Sequence, residues 1–150
     1  MLLQLLAGLV TSIICIAIHA TVMTIVVRVA PSVAAKVVSR PALLLTATMI
    51  ATVVVLMLAH MLEVAVWAAT YSVVGAAPEG ADPLYFAFVN YTTLGYGDVI
   101  PVRPWQLLGP ATAMCGVLLF GWSTAVIFEV LRKALTFERQ SERGPRGDTP

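Results

Sequence analysis

Three long runs with almost no charge constrain this chain more than any other feature. Residues 2–27, LLQLLAGLVTSIICIAIHATVMTIVV, form the first; residues 42–74 and 104–137 form the others. The first alone, about 26 residues, makes roughly 39 Å of helix, enough to cross a bilayer with some tilt. With 59% hydrophobic and 11% charged residues and a mean hydropathy of +0.91, the chain is too apolar for an ordinary soluble domain. The expected fold class is an all-α membrane protein with three transmembrane helices. No basic segment precedes Leu2, and the first run is too long for a cleaved signal peptide, so residues 1–30 are expected to remain as a spanning helix.

The segments between the runs divide the chain further. Residues 31–41 carry Pro31, Lys36, Arg40 and Pro41 and are expected to form a loop. The second helix is expected over 42–75, ended by Gly75 and Pro78; its length exceeds what a perpendicular span needs, so tilt is expected. A short acidic turn, AAPEGAD at 76–82, leads into DPLYFAFVNYTTLGYGDVIP at 82–101. There Asp82 is a plausible N-cap with Pro83 in the first helical position, which predicts a short helix to about Thr92. Pro104 is expected to open the third span, with Trp105 as an interfacial anchor and any kink near Gly109-Pro110. The tail 138–150, ERQSERGPRGDTP, is mixed in charge and expected to be disordered. Arg28, Lys36 and Arg40 on one side, with Arg132 and Lys133 after the third span, outweigh the acidic 76–98 segment in basic charge, so the positive-inside rule places 31–41 and the C-terminus in the cytoplasm and the N-terminus outside.

Within the 82–101 segment, Thr92-Thr93-Leu94-Gly95-Tyr96-Gly97-Asp98 resembles the selectivity-filter signature of potassium channels. Residues 42–137 as a whole resemble the two-helix ion-channel pore module of that family, with an outer helix, a re-entrant pore helix and an inner helix. The resemblance implies that backbone carbonyls of Thr93, Leu94, Gly95 and Tyr96, with the Thr93 hydroxyl, hold dehydrated K+, and that Gly95 and Gly97 supply backbone angles a Cβ would penalise. Leu94 stands where many members carry Val or Ile, which changes only the side chain. One strand gives one carbonyl per layer, so a cage of about eight oxygens requires a homotetramer. By the same resemblance Thr92, Asp98 and Tyr85 support the filter, Tyr85 pairing with Asp98, while Tyr85, Phe86, Phe88 and Tyr91 pack around it. Val89 takes the place where some bacterial relatives carry a buried Glu. The implied activity is potassium conduction across a cell membrane, with K+ as permeant ion and no cofactor, lipid and three further copies of the chain as partners, no nucleic acid and no enzymatic step. Nothing in the sequence names a regulatory partner or a gating stimulus.

Several other residues are candidates. His60, Glu63 and Trp67 share one face of the second helix, with Glu63 the one carboxylate deep in that run, about 31 Å from its start and so expected near the outer surface at filter height. Three readings remain open for His60 and Glu63: a structural hydrogen-bond cluster tying this helix to the pore helix or the first span, tuning of the filter from behind with sensitivity to external pH, or, on weak spacing, a metal site. His19 in the first run reads as a neutral histidine bonded to a neighbouring helix. Gly116 and Gly121 are candidates for a gate hinge or for close helix packing. Glu129 is a candidate for a ring of carboxylates at the inner mouth, or for a local pair with Arg132 and Lys133. Cys15 and Cys115 read as small buried hydrophobes. The rival functions are a non-selective cation channel, a non-conducting subunit, and a metal transporter or membrane enzyme built on His60 and Glu63.

Overall fold

The computed structural model describes residues 1–37 and 41–142. Four helices account for nearly all of them: α1 Leu2–Val37, α2 Pro41–Val74, α3 Pro83–Tyr91 and α4 Leu108–Glu142. Three stretches are long and apolar enough to cross a membrane, Leu2–Val29, Leu43–Val74 and Leu108–Thr136. The chain is therefore an all-α membrane protein with three candidate spans and one short helix between the second and third.

α1 packs along both α2 and α4, and α3 packs against the same two helices, so α2 and α4 stand between α1 and α3. Trp67, Tyr71, Phe86, Tyr91, Leu108 and Leu119 are buried at the centre of this arrangement. A second buried group, Met23, Val26, Leu56, Val126 and Val130, closes α1, α2 and α4 toward the other end. With little hydrophobic force between helices in lipid, close approach and polar contacts matter more. At Gly8 an added Cβ would lie 3.2 Å from Ala111 Cβ, so its absence lets α1 approach α4. Thr11 Oγ1 meets Thr70 Oγ1 at 3.0 Å between α1 and α2, and the Leu107 amide donates to Gln4 Oε1 at 3.1 Å.

Three boundaries and one expected kink differ from the sequence-based expectation. α1 runs through Pro31 to Val37, so most of the loop expected over 31–41 is helical. A proline inside a helix removes one amide donor, and that loss does not end this helix. Residues 38–40 lie outside the described residues. α4 begins at Leu108, not Pro104, because the preceding amides are spent on turns: Trp105 N donates to Val102 O at 2.7 Å and Leu108 N to Trp105 O at 3.1 Å. Gly109-Pro110 consequently falls in the first turn of α4, where an amide has no intrahelical partner to lose, and the expected source of a kink disappears. At the far end α4 continues to Glu142, so residues 138–142 of the expected disordered tail are helical, and 143–150 lie outside the described residues.

α2 ends where its glycine allows. Gly75 has φ +65°, Gly75 N donates to Ser72 O at 3.4 Å, and Ala76 N donates to Tyr71 O at 2.9 Å. This paired capping satisfies two carbonyls of the last turn and needs a left-handed residue at Gly75. Val102 N then donates to Ala76 O at 3.0 Å, tying the entry of the 76–107 excursion to its exit.

Candidate functional site

The site begins with the start of α3. Asp82, extended at φ −73° and ψ 116°, accepts the Leu84 amide on Oδ1 at 2.8 Å, and Pro83 fills the first helical position. Phe86, Ala87, Val89 and Tyr91 are buried, which fixes the helix against α2 and α4. α3 stops at Tyr91, with Thr92 as its C-cap.

The chain then turns back on the end of α3. Thr93 N donates to Asn90 O at 3.0 Å, while Leu94 N and Gly95 N both reach Val89 O, at 3.0 and 3.4 Å. Three successive amides thus face the helix they have just left. The φ angles at Thr93, Gly95 and Gly97 are +59°, +56° and +79°, so every second residue from 93 to 97 is left-handed. Glycine adopts this region freely, whereas a β-branched residue such as Thr93 does so at a cost of about 1–3 kcal/mol. Strain at a single non-glycine position marks a conformation imposed by its surroundings. Leu94 and Tyr96 have more than half of their surface exposed on the single chain.

The far end of this loop is pinned by a carboxylate. Asp98 Oδ2 accepts the Tyr85 hydroxyl at 2.6 Å, and Oδ1 accepts the Val99 amide at 3.1 Å. The Asp98 carboxylate holds the Tyr85 phenol above the usual tyrosine pKa, since ionising it would remove the donor and set two negative charges together. At the near end Thr92 Oγ1 donates to Phe88 O at 2.7 Å and Thr93 Oγ1 to Thr92 O at 2.6 Å. Loop 92–98 is therefore tied to α3 at both ends.

A buried polar cluster stands behind it. Glu63, fully buried, meets His19 Nδ1 through Oε1 at 2.7 Å and His60 Nδ1 through Oε2 at 3.0 Å, and it accepts the Tyr91 hydroxyl. His60 Nε2 and His19 Nε2 converge on Ser123 Oγ at 2.9 and 3.3 Å. Side chains from α1, α2 and α3 thus meet at one carboxylate, and Ser123 of α4 joins its two histidines behind it. Glu63 bonds Tyr91, the last residue of α3, and so stands at the level where loop 92–98 begins. α2 extends eleven residues past it to Val74, roughly 16 Å, and its partners His19 and Ser123 are near the middle of α1 and α4. The structure adds His19, the Tyr91 hydroxyl and Ser123 to the pair seen in sequence. His19 had a signal, as an ionisable group in an apolar run; Ser123 had none.

The remaining candidates separate clearly. An added Cβ at Gly116 would run into the Tyr91 carbonyl, so this glycine lets α4 approach the C-terminal end of α3, while a Cβ at Gly121 would meet nothing within 4 Å. Glu129 is held by Arg132 through two bonds of 2.9 Å and lies 3.6 Å from Lys133. Cys15 and Cys115 are buried free thiols, the first directed at the Glu63 carbonyl at 3.8 Å. Trp67 is buried against Tyr71 and does not share the polar cluster.

Two spanning helices with a short helix and a pinned, glycine-bearing loop between them define the class of ion-channel pore proteins. Residues 43–133 match the family model described as ion channel, of the two-transmembrane-helix, potassium-channel pore type. The chain belongs to that ion channel family; α1 lies outside the matched region. No curated protein and no solved structure matches the chain.

Proposed function

We propose that the chain forms a potassium-selective channel in which four copies surround loop 92–98. The observation that carries this reading is the alternation of left-handed residues at Thr93, Gly95 and Gly97, with the amides of Thr93, Leu94 and Gly95 turned back to α3. Amides committed to the helix leave the carbonyls of Thr93, Leu94, Gly95 and Tyr96 as the groups available to an ion, with the Thr93 hydroxyl at the inner end. K+ is the permeant ion and no further cofactor is required. The α3 C-terminus, with its partial negative charge, favours a cation below the loop. The N-terminus faces outside and the C-terminus the cytoplasm of a cell membrane. Glu63 and His60, bonded to Tyr91 two residues before Thr93, are placed to tune the filter from behind.

The test is a reversal potential under bi-ionic conditions, with potassium on one side of a planar bilayer and sodium on the other. A strongly potassium-selective potential is expected. A potential near zero would assign a non-selective cation channel instead.

A further inference from the structure

The contacts around Glu63 can be satisfied together only by a particular number of hydrogens. Six contacts join five side chains: His19 Nδ1 with Glu63 Oε1, His60 Nδ1 with Glu63 Oε2 and with Tyr91 Oη, Tyr91 Oη with Glu63 Oε2, and Ser123 Oγ with Nε2 of each histidine. With Glu63 ionised and both rings neutral, four hydrogens are available, one on each ring and one on each hydroxyl. The ring hydrogens must lie on Nδ1, because a bare nitrogen lone pair facing a carboxylate oxygen at 2.7 or 3.0 Å is repulsive. The His60 Nδ1 hydrogen is shared between Glu63 and Tyr91. Both Nε2 atoms are then acceptors, and the one hydroxyl hydrogen of Ser123 serves only one of them. The other contact is left as two lone pairs facing each other. A fifth proton completes the set: one ring donates from Nε2 to Ser123 Oγ, and Ser123 donates to the other ring.

Charge leads to the same number by a separate route. With four protons the cluster carries one net negative charge among three spanning helices, and with five it is neutral. A buried charge without a counter-ion is strongly disfavoured there. The groups facing the two rings are Glu63 on α2, Tyr91 on α3, and Phe120, Trp122 and Ser123 on α4, with Cys15 on α1 directed at the Glu63 main-chain carbonyl. No lysine or arginine among the described residues pairs with Glu63. The compensating charge is therefore a proton on the cluster itself.

A transition metal fits the distances less well. Ligand atoms at about 2.0–2.1 Å from a tetrahedral ion lie about 3.3 Å apart, wider than the 2.7 and 3.0 Å seen here, which are lengths of N–H···O bonds.

We propose that His19, His60 and Glu63 form a proton-binding site holding one proton more than an ionised carboxylate and two neutral imidazoles, shared between the rings through Ser123. The proton moves without changing the total, to either ring by relay across Ser123 Oγ, or to Glu63 Oε1 across the 2.7 Å contact. Its presence lets Ser123 on α4 bond both His19 on α1 and His60 on α2, and its loss breaks one of these two bonds and leaves the carboxylate beside Tyr91 uncompensated. α1, outside the matched pore module, thereby communicates with the end of α3.

The test uses the full chain with 15N-labelled histidine, stripped of metal and placed in lipid nanodiscs at neutral pH. Nitrogen NMR counts protonated ring nitrogens, and the infrared carboxylic-acid band, assigned with Glu63→Gln, counts a protonated Glu63. Three protons over the two rings and the carboxyl are expected; two would overturn the proposal. Sharing puts both Nε2 signals between the protonated and bare positions, and Ser123→Ala drives them apart while Ser123→Thr does not. One Nε2 fully protonated and the other fully bare in the unmodified protein would contradict the relay. Metal-type nitrogen shifts with stoichiometric zinc before stripping would replace the proton by a metal. The count on the unmodified protein depends neither on a variant folding nor on ion conduction, so its failure is distinct from failure of the channel reading.

Discussion

Tyr85 Oη and Asp98 Oδ2 lie 2.6 Å apart within the excursion between α2 and α4, joining the first turn of α3 to the residue that follows Gly97. This bond closes a loop that has few other anchors on its outer side. It is exposed on the single chain, so its consequence is positional and its contribution to stability small.

The bond gives a signed pH prediction. Because Asp98 raises the Tyr85 pKa in the folded chain, the bond contributes fully below the ordinary tyrosine value and is lost as pH rises through the higher folded value. Ultraviolet titration of the tyrosinates is expected to show Tyr85 ionising last of the exposed phenols. Asp98→Asn should bring it back toward about 10; an unchanged titration curve would show that the pair does not form in solution.

Glu63→Gln keeps the shape of the buried carboxylate but replaces one acceptor by an NH2 group facing donors. A loss of about 1–3 kcal/mol is expected, read as a lower melting temperature in detergent. Glu63→Leu, leaving two histidines and Tyr91 without their common acceptor, is expected to cost more. Equal melting of all three proteins would contradict a structural role for the cluster.

Gly116→Ala and Gly121→Ala separate packing from hinge bending. The first places a methyl against the Tyr91 carbonyl and the second into open space. Gly116→Ala is expected to destabilise by about 1–3 kcal/mol and to disturb conduction through the displaced end of α3, while Gly121→Ala melts as the parent does. Thermal scans beside flux measurements check both.

Glu129→Gln is expected to change stability by less than about 1 kcal/mol, since its partners Arg132 and Lys133 are on the same helix and substantially exposed. Single-channel conductance should also change little, because the arginine already neutralises the carboxylate. A large fall in conductance would instead place Glu129 in the inner mouth as an unpaired charge.

The spanning helices were legible because hydrophobic length is enough to define them, and the start of α3 because Asp82-Pro83 carries its own cap. The backbone of loop 92–98 was legible in kind, since Gly95 and Gly97 announce left-handed angles; the same angle at Thr93 was not, because it is imposed from outside the residue. Pro31 misled because a proline signals a lost bond, which a long helix in an apolar run tolerates. Pro104 misled because a good first helical residue does not start a helix when neighbouring amides are already used in turns. A hydrogen-bond cluster tying α2 to the first span or the short helix was legible in kind, and His19 and Tyr91 supply it; Ser123 was missed because it lies 60 residues from Glu63 and no local pattern records which faces of separate helices meet.

The most direct test of the channel account is potassium flux into liposomes reconstituted with the purified protein, run beside Gly97→Ala and with sodium in place of potassium. The account predicts flux that requires potassium and is abolished in the variant, because a Cβ at φ +79° strains the loop conformation although no neighbour blocks it. Flux carried equally by sodium, or surviving unchanged in Gly97→Ala, would contradict it.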